Sequence, residues 1–515
     1  VKRQPYGPLV DLTLVGLLLL VGLYHWPHVA SEGAPWWATP QDLLLDGYDA
    51  GEWADQHRAW RDGRLGDLDG HRMPTWTLLA GPVASVSVPL AGHLVNHLLQ
   101  LALAPIVYGL GRALGMGRGT SAFAGVIVAT NATLVLASRR FGVDPTITTL
   151  VPLALLACHL VRVRWWLGLL AGAVGALATA SHFTTLPYPA PLALSVVLLA
   201  RPGERVPSLI AFCSGFLLAW GVVFDLFPWI GVETLLKSVG ESASNQVAGT
   251  PGARGWESAV ARVSGILAND LEGAFNTYGT RMHTAAPPAV LLVPLAMLGV
   301  AGVGLDTAGP KARTPGWIGG LLLALSLAPA VALVAMQAPS RYSDNLLPLA
   351  TLLAARGLAS LLVPLRHTPR PDLAAGALAS VLALRATAGG FSSGNLQLAR
   401  FNRDVGALLE AQVAPRTCVV SPLRDAVAYT DLHPIRIDCP VAATEASFRA
   451  CLSGLRRQCF ASRSLVWVVN EQVPVDTRSA PLKAMDAWAL ANWGSVGELR
   501  TPGASVWLVQ VPLPD

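Results

Sequence analysis

The chain has 515 residues, of which 52% are hydrophobic and only 13% charged, and its mean hydropathy is +0.47. Soluble proteins carry about a quarter charged residues, so composition argues against a soluble globular enzyme. The formal charge of +5 does not point to nucleic acid either, because no basic run with interleaved aromatics accompanies it.

Apolar runs near twenty residues recur along the chain, each long enough to cross about 30 Å of hydrocarbon. The first follows Val1-Lys2-Arg3 and resembles a signal peptide at first sight. No small-residue cleavage pattern follows it, and Tyr24-His25-Trp26 suits an interfacial aromatic belt, so it is expected to be a retained span. Eleven spans are expected, at 9–25, 89–111, 120–138, 145–161, 165–181, 186–200, 208–227, 286–305, 317–337, 345–363 and 372–389. The expected class is a polytopic α-helical membrane protein in the lipid bilayer. Pro187, Pro189 and Pro191 make the sixth span, and the short fifth beside it, dependent on protein neighbours for freed carbonyls.

Alternate connections carry paired cations: Lys2 and Arg3, Arg112 and Arg118, Arg162 and Arg164, Arg201 and Arg205, Lys311 and Arg313, Arg366 and Arg370. Only Glu204, Asp306 and Asp372 oppose them. The positive-inside rule puts these connections and the N-terminus in the cytoplasm, and a bacterial inner membrane is the expected location. Loop 26–88, loop 228–285, the turn from Pro339 to Asn345 and everything after Gly390 then lie outside.

Loop 228–285 is patterned as amphipathic helix at Glu233 to Val239 and Trp256 to Leu267, expected to lie along the membrane surface. Residues 391–515 alternate helix-like stretches (Leu398 to Val413, Pro481 to Trp493) with apolar runs. Those runs are Thr417 to Ser421, Ile435 to Ile437, Leu465 to Val469 and Val506 to Val509. The pattern predicts a small extracytoplasmic α/β domain, leaving 1–390 as the membrane domain. Cys158 and Cys213 fall in spans, whereas Cys418, Cys439, Cys451 and Cys459 cluster in the outer domain. That even number suits disulfides in an oxidising compartment, with three possible pairings. A metal site is the rival, against which stands the lack of Cys-x-x-Cys spacing.

Loop 26–88 holds nine acids: Glu32, Asp42, Asp46, Asp49, Glu52, Asp55, Asp62, Asp67 and Asp69. Trp53, His57 and Trp60 recur at helical spacing, predicting a helix of three turns that opens at Asp49 and stops at Gly63. Asp49 as N-cap with Glu52 three residues on makes a capping box, an ordinary structural role. It is compatible with catalysis, since a carboxylate held at a helix start is also a fixed base. In the second span His93, Asn96, His97 and Gln100 share one face, read as an interhelical hydrogen-bond seam rather than a zinc site.

An acid opening a first-loop helix, an aromatic four residues on, a closing Gly, and His71-Arg72-Met73-Pro74 before an apolar segment resemble the polytopic GT-C glycosyltransferases. The likeness continues in Ser138-Arg139-Arg140-Phe141-Gly142-Val143-Asp144 and in Arg341-Tyr342 ahead of Pro348 and Leu352 to Leu358. The tail also resembles the outer domain many members have, with a helix carrying Ala428-Tyr429 and then His433-Pro434. Protein O-mannosyltransferases carry adjacent Asp-Glu where this chain reads Asp49-Ala50-Gly51-Glu52, and aminoarabinose transferases carry Lys-Pro where it reads Arg72-Met73-Pro74. No subfamily follows.

The resemblance implies inverting transfer of a sugar from a polyprenyl-phosphate donor to a glycan, lipid or protein acceptor on the outer face. It makes Asp49 the first-loop acid, with Asp46 as alternative and Glu52 and Asp144 as further catalytic candidates. Arg341 and Tyr342, with Arg72, Arg139 and Arg140, become candidates for the donor phosphate, a role the guanidinium fork suits. An interfacial Arg snorkelling to headgroups is the bland account of Arg341, and capping the fourth span that of Asp144. Asp67 and Asp69 spell the Asp-x-Asp that oligosaccharyltransferases use toward a divalent cation, a weak pattern in so acidic a loop. The competing readings are a catalytically silent GT-C-like scaffold within a larger assembly and a transporter. No inverted repeat with matched broken helices favours the transporter.

Overall fold

A computed structural model describes residues 7–25, 50–63, 73–139, 141–182, 185–226, 347–362 and 381. In the C-terminal part it describes 396–414, 417–420, 424–435 except 428 and 431, 444–458, 465–470, 480–493, 495–501 and 504–511. The chain divides into two compact units. One gathers Val1–Pro35, Gly63–Pro82 and His93–Ser392, and the other Trp36–Asp62, Val83–Gly92 and Ser393–Asp515.

The described residues of the first unit are helical. Its apolar helices are α1 (Gly7–His25), α4 (Val88–Ala113), α5 (Arg118–Thr130), α6 (Ala132–Arg139), α7 (Asp144–Cys158), α8 (Gly168–Thr179), α9 (Pro189–Leu199), α10 (Arg205–Leu226) and α11 (Leu347–Leu362). Two short helices, α2 (Ala50–Arg61) and α3 (Thr75–Ala84), come between α1 and α4 in sequence. Among the described residues three helical stretches are long and apolar enough to cross a membrane, Val88–Ala113, Asp144–Arg162 and Pro202–Val223. Leu9, Leu12, Leu17 and Leu20 on α1 and Val206, Ile210, Leu217, Leu218 and Val222 on α10 are exposed. Such apolar faces suit hydrocarbon and would be an aggregation liability in water.

The expected spans 286–305, 317–337 and 372–389 and the loop helices Glu233 to Val239 and Trp256 to Leu267 lie outside the described residues. The expected span 120–138 is two helices rather than one. Asn131 is extended (ψ 121°) between them, and its Oδ1 accepts from the Leu134 amide at 3.1 Å. A side chain that caps the new helix competes with the continuing one. Helix α3 went unforeseen at the sequence level, where its residues read only as an apolar segment after Pro74.

Two contacts fix how these helices meet. Asp11 of α1 accepts from Arg118 Nε at 2.9 Å and from its second terminal nitrogen at 3.0 Å. It also accepts from the Tyr108 hydroxyl, with Arg112 at 3.6 Å. Helices α8 and α10 approach until backbones touch: a Cβ on Gly172 would fall 2.0 Å from the Phe212 carbonyl oxygen, and one on Gly215 2.1 Å from that of Leu169. Small residues allowing close backbone approach are how membrane helices associate.

The second unit contains a five-stranded sheet, β1 (Cys418–Val420), β2 (His433–Ile435), β3 (Leu465–Asn470), β4 (Gly497–Thr501) and β5 (Ala504–Val511), in the order β2-β1-β3-β5-β4. β2, β1 and β3 are parallel, whereas β5 and β4 return antiparallel. Alternation sorts its two faces. Cys418, Val420 and Val509 pack with α14 (Glu445–Gln458) and α15 (Ala480–Trp493). Val419, Val466, Val468, Val506 and Leu508 pack with α12 (Leu396–Gln412) and α13 (Arg424–Val427).

The expected helix carrying Ala428-Tyr429 ends earlier, at Val427, with Tyr429 in the following turn. β2 includes His433 and Pro434, two residues ahead of the expected run; at the sheet edge a proline costs no ladder bond. β4 and α14 had no apolar run to betray them. Cys158 and Cys213 are free thiols, and Cys418 and Cys451 are not. Cys439 and Cys459 lie outside the described residues.

Helix α2 belongs to this second unit and packs on α13. Its His57 is fully buried, and desolvation lowers its pKa from the ordinary 6.5 to about 3.

Two outcomes follow from this packing. Gly172→Leu should destabilise the protein by about 1–3 kcal/mol or more, because backbone cannot yield to the new side chain. Gly221→Ala, whose Cβ meets nothing within 4 Å, should be neutral or mildly stabilising; thermal unfolding in detergent compares them. Because the folded state keeps His57 neutral, stability is fully present above pH 6.5 and falls as pH drops toward about 3. Unfolding at stepped pH should show a slope of up to about 1.4 kcal/mol per pH unit, flattened in His57→Gln.

Candidate functional site

The residues proposed for chemistry lie on both units. In the first unit the site is built where α6 gives way to α7. Residues Phe141, Gly142 and Val143 form a bend between them, and Asp144 is the first residue of α7 with Pro145 next. Proline there loses no bond, and a carboxylate in the first turn is favoured by the helix dipole. Asp144 is therefore a helical residue rather than the N-cap, which is Val143 and makes no side-chain capping bond.

The polar face of α4 holds this bend. Asn96 Nδ2 donates to the Gly142 carbonyl at 2.9 Å. The Phe141 ring packs edge-on against His93 (centroids 5.7 Å) and Trp76 (5.0 Å). One helical turn further along, Gln100 Nε2 donates to the Val128 carbonyl at 3.2 Å, and Thr149 Oγ1 returns a bond from α7 to the Leu99 carbonyl at 3.1 Å. Of the face expected to form an interhelical hydrogen-bond seam, Asn96 and Gln100 bond outside their own helix. His97 Nδ1 is hydrogen-bonded to the His93 carbonyl within the same helix.

The segment leaving the first loop is fastened nearby. Thr75, at the start of α3, donates its amide to the Ala180 carbonyl at 3.2 Å and its hydroxyl to the Leu177 carbonyl at 2.8 Å. Trp76 beside it is fully buried. The starts of α3 and α7, the polar face of α4 and the end of α8 are thus tied to one another around Phe141 and Gly142. From α11, Leu352, Leu353, Ala354 and Ala355 enter the core of the same unit.

In the second unit the candidate residues sit on α2. Glu52 is in its first turn, half-buried, with Trp53 buried beside it. The helix closes at Gly63, whose φ of 68° is the left-handed conformation that favours glycine after a helix. Arg58, 3% exposed, donates to the carbonyls of Val427 at 2.9 Å, Thr430 at 2.5 Å and Leu432 at 3.2 Å. Asp55 lies 3.7 Å from it.

Asp46, Asp49, Asp67, Asp69, Arg72, Arg140, Arg341 and Tyr342 lie outside the described residues. Arg139 ends α6, and nothing is described of its side chain. Among the described residues no group of three His, Cys, Asp or Glu could hold a metal ion. Sequence reasoning overlooked Arg58, Thr75 and Trp76. Trp76 follows Pro74 by two residues, a signal in hindsight, whereas nothing sets Arg58 apart from other loop cations.

No protein-family model matches this chain, and no curated protein matches it. Solved structures do. The chain is similar to ArnT from Cupriavidus metallidurans bound to undecaprenyl phosphate, at a TM-score of 0.57 and 13% identity over 98% of each chain. It is similar to the apo state of the same protein at 0.51 and 13% identity, over 96% of this chain and 97% of that one. Arabinofuranosyltransferase AftD from Mycobacteria gives 0.44 at 14% identity, over 97% of this chain but 41% of that one. At 13% identity the likeness to ArnT speaks for fold alone, and it covers nearly the whole of both chains.

Proposed function

We propose that this chain is a membrane glycosyltransferase that moves a sugar from a polyprenyl-phosphate donor to a glycan, lipid or protein acceptor on the extracytoplasmic face. The observation that carries this reading is the end-to-end likeness to a protein solved with undecaprenyl phosphate bound. The tethered bend at Phe141–Asp144 supports it, because it falls on the motif through which the sequence resembles GT-C enzymes.

In this reading the eleven-span topology presents loop 26–88 and the C-terminal α/β domain outside an inner membrane, with the four clustered cysteines forming up to two disulfides. Asp49 accepts or orients the acceptor proton, a role worth about 100- to 10,000-fold in rate. The acceptor oxygen or nitrogen bonds to the sugar's anomeric carbon as its bond to the phosphate oxygen breaks, inverting that carbon. The electron pair leaves on the lipid phosphate, whose charge Arg341 meets, aided by Tyr342 and the cations at Arg72, Arg139 and Arg140. Asp144 positions the acceptor or the first-loop acid, and Glu52 supports the start of α2.

Release of polyprenyl phosphate from a panel of polyprenyl-phosphate sugars, measured on the full chain in nanodiscs with mixed glycan, lipid and peptide acceptors, tests the reading. Wild type should turn over at least one donor, and Asp49→Asn should lose about 100-fold or more. Unchanged turnover in the variant removes Asp49 as the base, and no release from any donor turns the assignment to a silent scaffold. Asn96→Leu, which deletes the tether to Gly142, should lower turnover by about 10- to 100-fold through misplacement of Asp144. Its folded yield, read by gel filtration, should change little.

A further inference from the structure

The sequence places α2 in a loop between membrane spans, yet the helix is anchored to residues some 370 positions later. A buried guanidinium, that of Arg58, is part of this anchor. Helix α13 ends at Val427, and the chain turns through Thr430 and Leu432 into β2 at His433. The turn is built to be held: Thr430 Oγ1 donates to the Val427 carbonyl at 2.8 Å and accepts from the Leu432 amide at 3.2 Å. On α12, Gly406 lies against it, where a Cβ would come 2.8 Å from the Ala426 carbonyl oxygen. The turn is therefore fixed to the sheet through β2 and to α12, and its carbonyls of Val427, Thr430 and Leu432 converge on Arg58.

The guanidinium serves the three carbonyls from its two terminal nitrogens, a rigid fork that lysine's single ammonium nitrogen lacks. A helix of 12 residues is marginal in water without tertiary support. Glu52 lies six residues before Arg58 on this helix, about 9 Å along its axis at 1.5 Å per residue, and Asp49 immediately precedes the helix in sequence.

We propose that Arg58 is a positioning residue: it makes the placement of the first-loop helix, and so of the acids at its start, depend on the C-terminal sheet unit. The inference rests on the transferase reading for its effect on rate and on the described hydrogen bonds for the coupling itself. The sheet unit then acts as the reference frame of the reaction without contributing a reacting group. The guanidinium stays charged at all working pH values, so the anchor is constant rather than a switch.

Hydrogen exchange on the full chain in nanodiscs, comparing wild type, Arg58→Lys and Arg58→Met, decides the coupling. Amides of 50–61 should lose protection at least tenfold in Arg58→Met and by less in Arg58→Lys, while 465–470 and 504–511 keep theirs. Unchanged protection of 50–61 overturns the proposal. Loss across the sheet as well also overturns it, by making Arg58 a general stability residue. With a transferable donor, kcat should fall tenfold or more in Arg58→Met with KM for the donor within threefold of wild type. A normal kcat beside raised exchange overturns the positioning role. Should wild type transfer nothing, the transferase reading fails, and the exchange comparison still tests the coupling by itself.

Discussion

Carbonyl oxygens released where helices end or bend organise both halves of this molecule. Away from water each such oxygen must find a donor, since leaving it open costs on the order of a few kcal/mol. The chain meets the demand with side chains from remote segments. Asn96 answers Gly142 at the bend before α7, Gln100 answers Val128 in the last turn of α5, and Thr75 answers Leu177 in the last turn of α8. In the second unit Arg58 answers three carbonyls after α13. Such bonds also fix where the next element starts, and Asp144 begins at just such a place.

That pattern explains how much of the site could be foreseen. The face of His93, Asn96, His97 and Gln100 stands out because polar residues are rare in an apolar run, and a seam was the natural inference. Its acceptors were not legible. Every residue has a carbonyl, and which ones fall free depends on where helices break. The break at Asn131 rests on one side chain bonding locally, a choice that the mostly apolar run from 120 to 138 conceals. Arg58 was invisible for a related reason. In a loop with nine acids a cation reads as solvated, and its partners lie in a turn some 370 residues on. In the sheet unit, apolar runs revealed β1, β3 and β5, whereas β4, reading Gly-Glu-Leu-Arg-Thr, had no such signature.

The fold likeness extends over nearly the whole chain at 13% identity, a combination with a physical reading. Lipid-facing positions accept almost any apolar residue, so most of a membrane helix's sequence is free to drift while its path is kept. Packing leaves less freedom at the positions where backbones touch or carbonyls are answered. Gly172 and Gly215 are of the first kind, Asn96 and Thr75 of the second.

The cluster around Asp11 bears on how the protein is made. Its carboxylate sits in the first helix, and the residues that answer it, Tyr108 and Arg118, come 97 and 107 positions later. The ribosome therefore delivers α1 to the membrane well before α4 and α5 exist. Until they arrive the acid is a burden on insertion of about 2.5–3.5 kcal/mol at worst, offset by its place near the helix end. The contacts that hold Asp11 thus form only after the later helices have emerged.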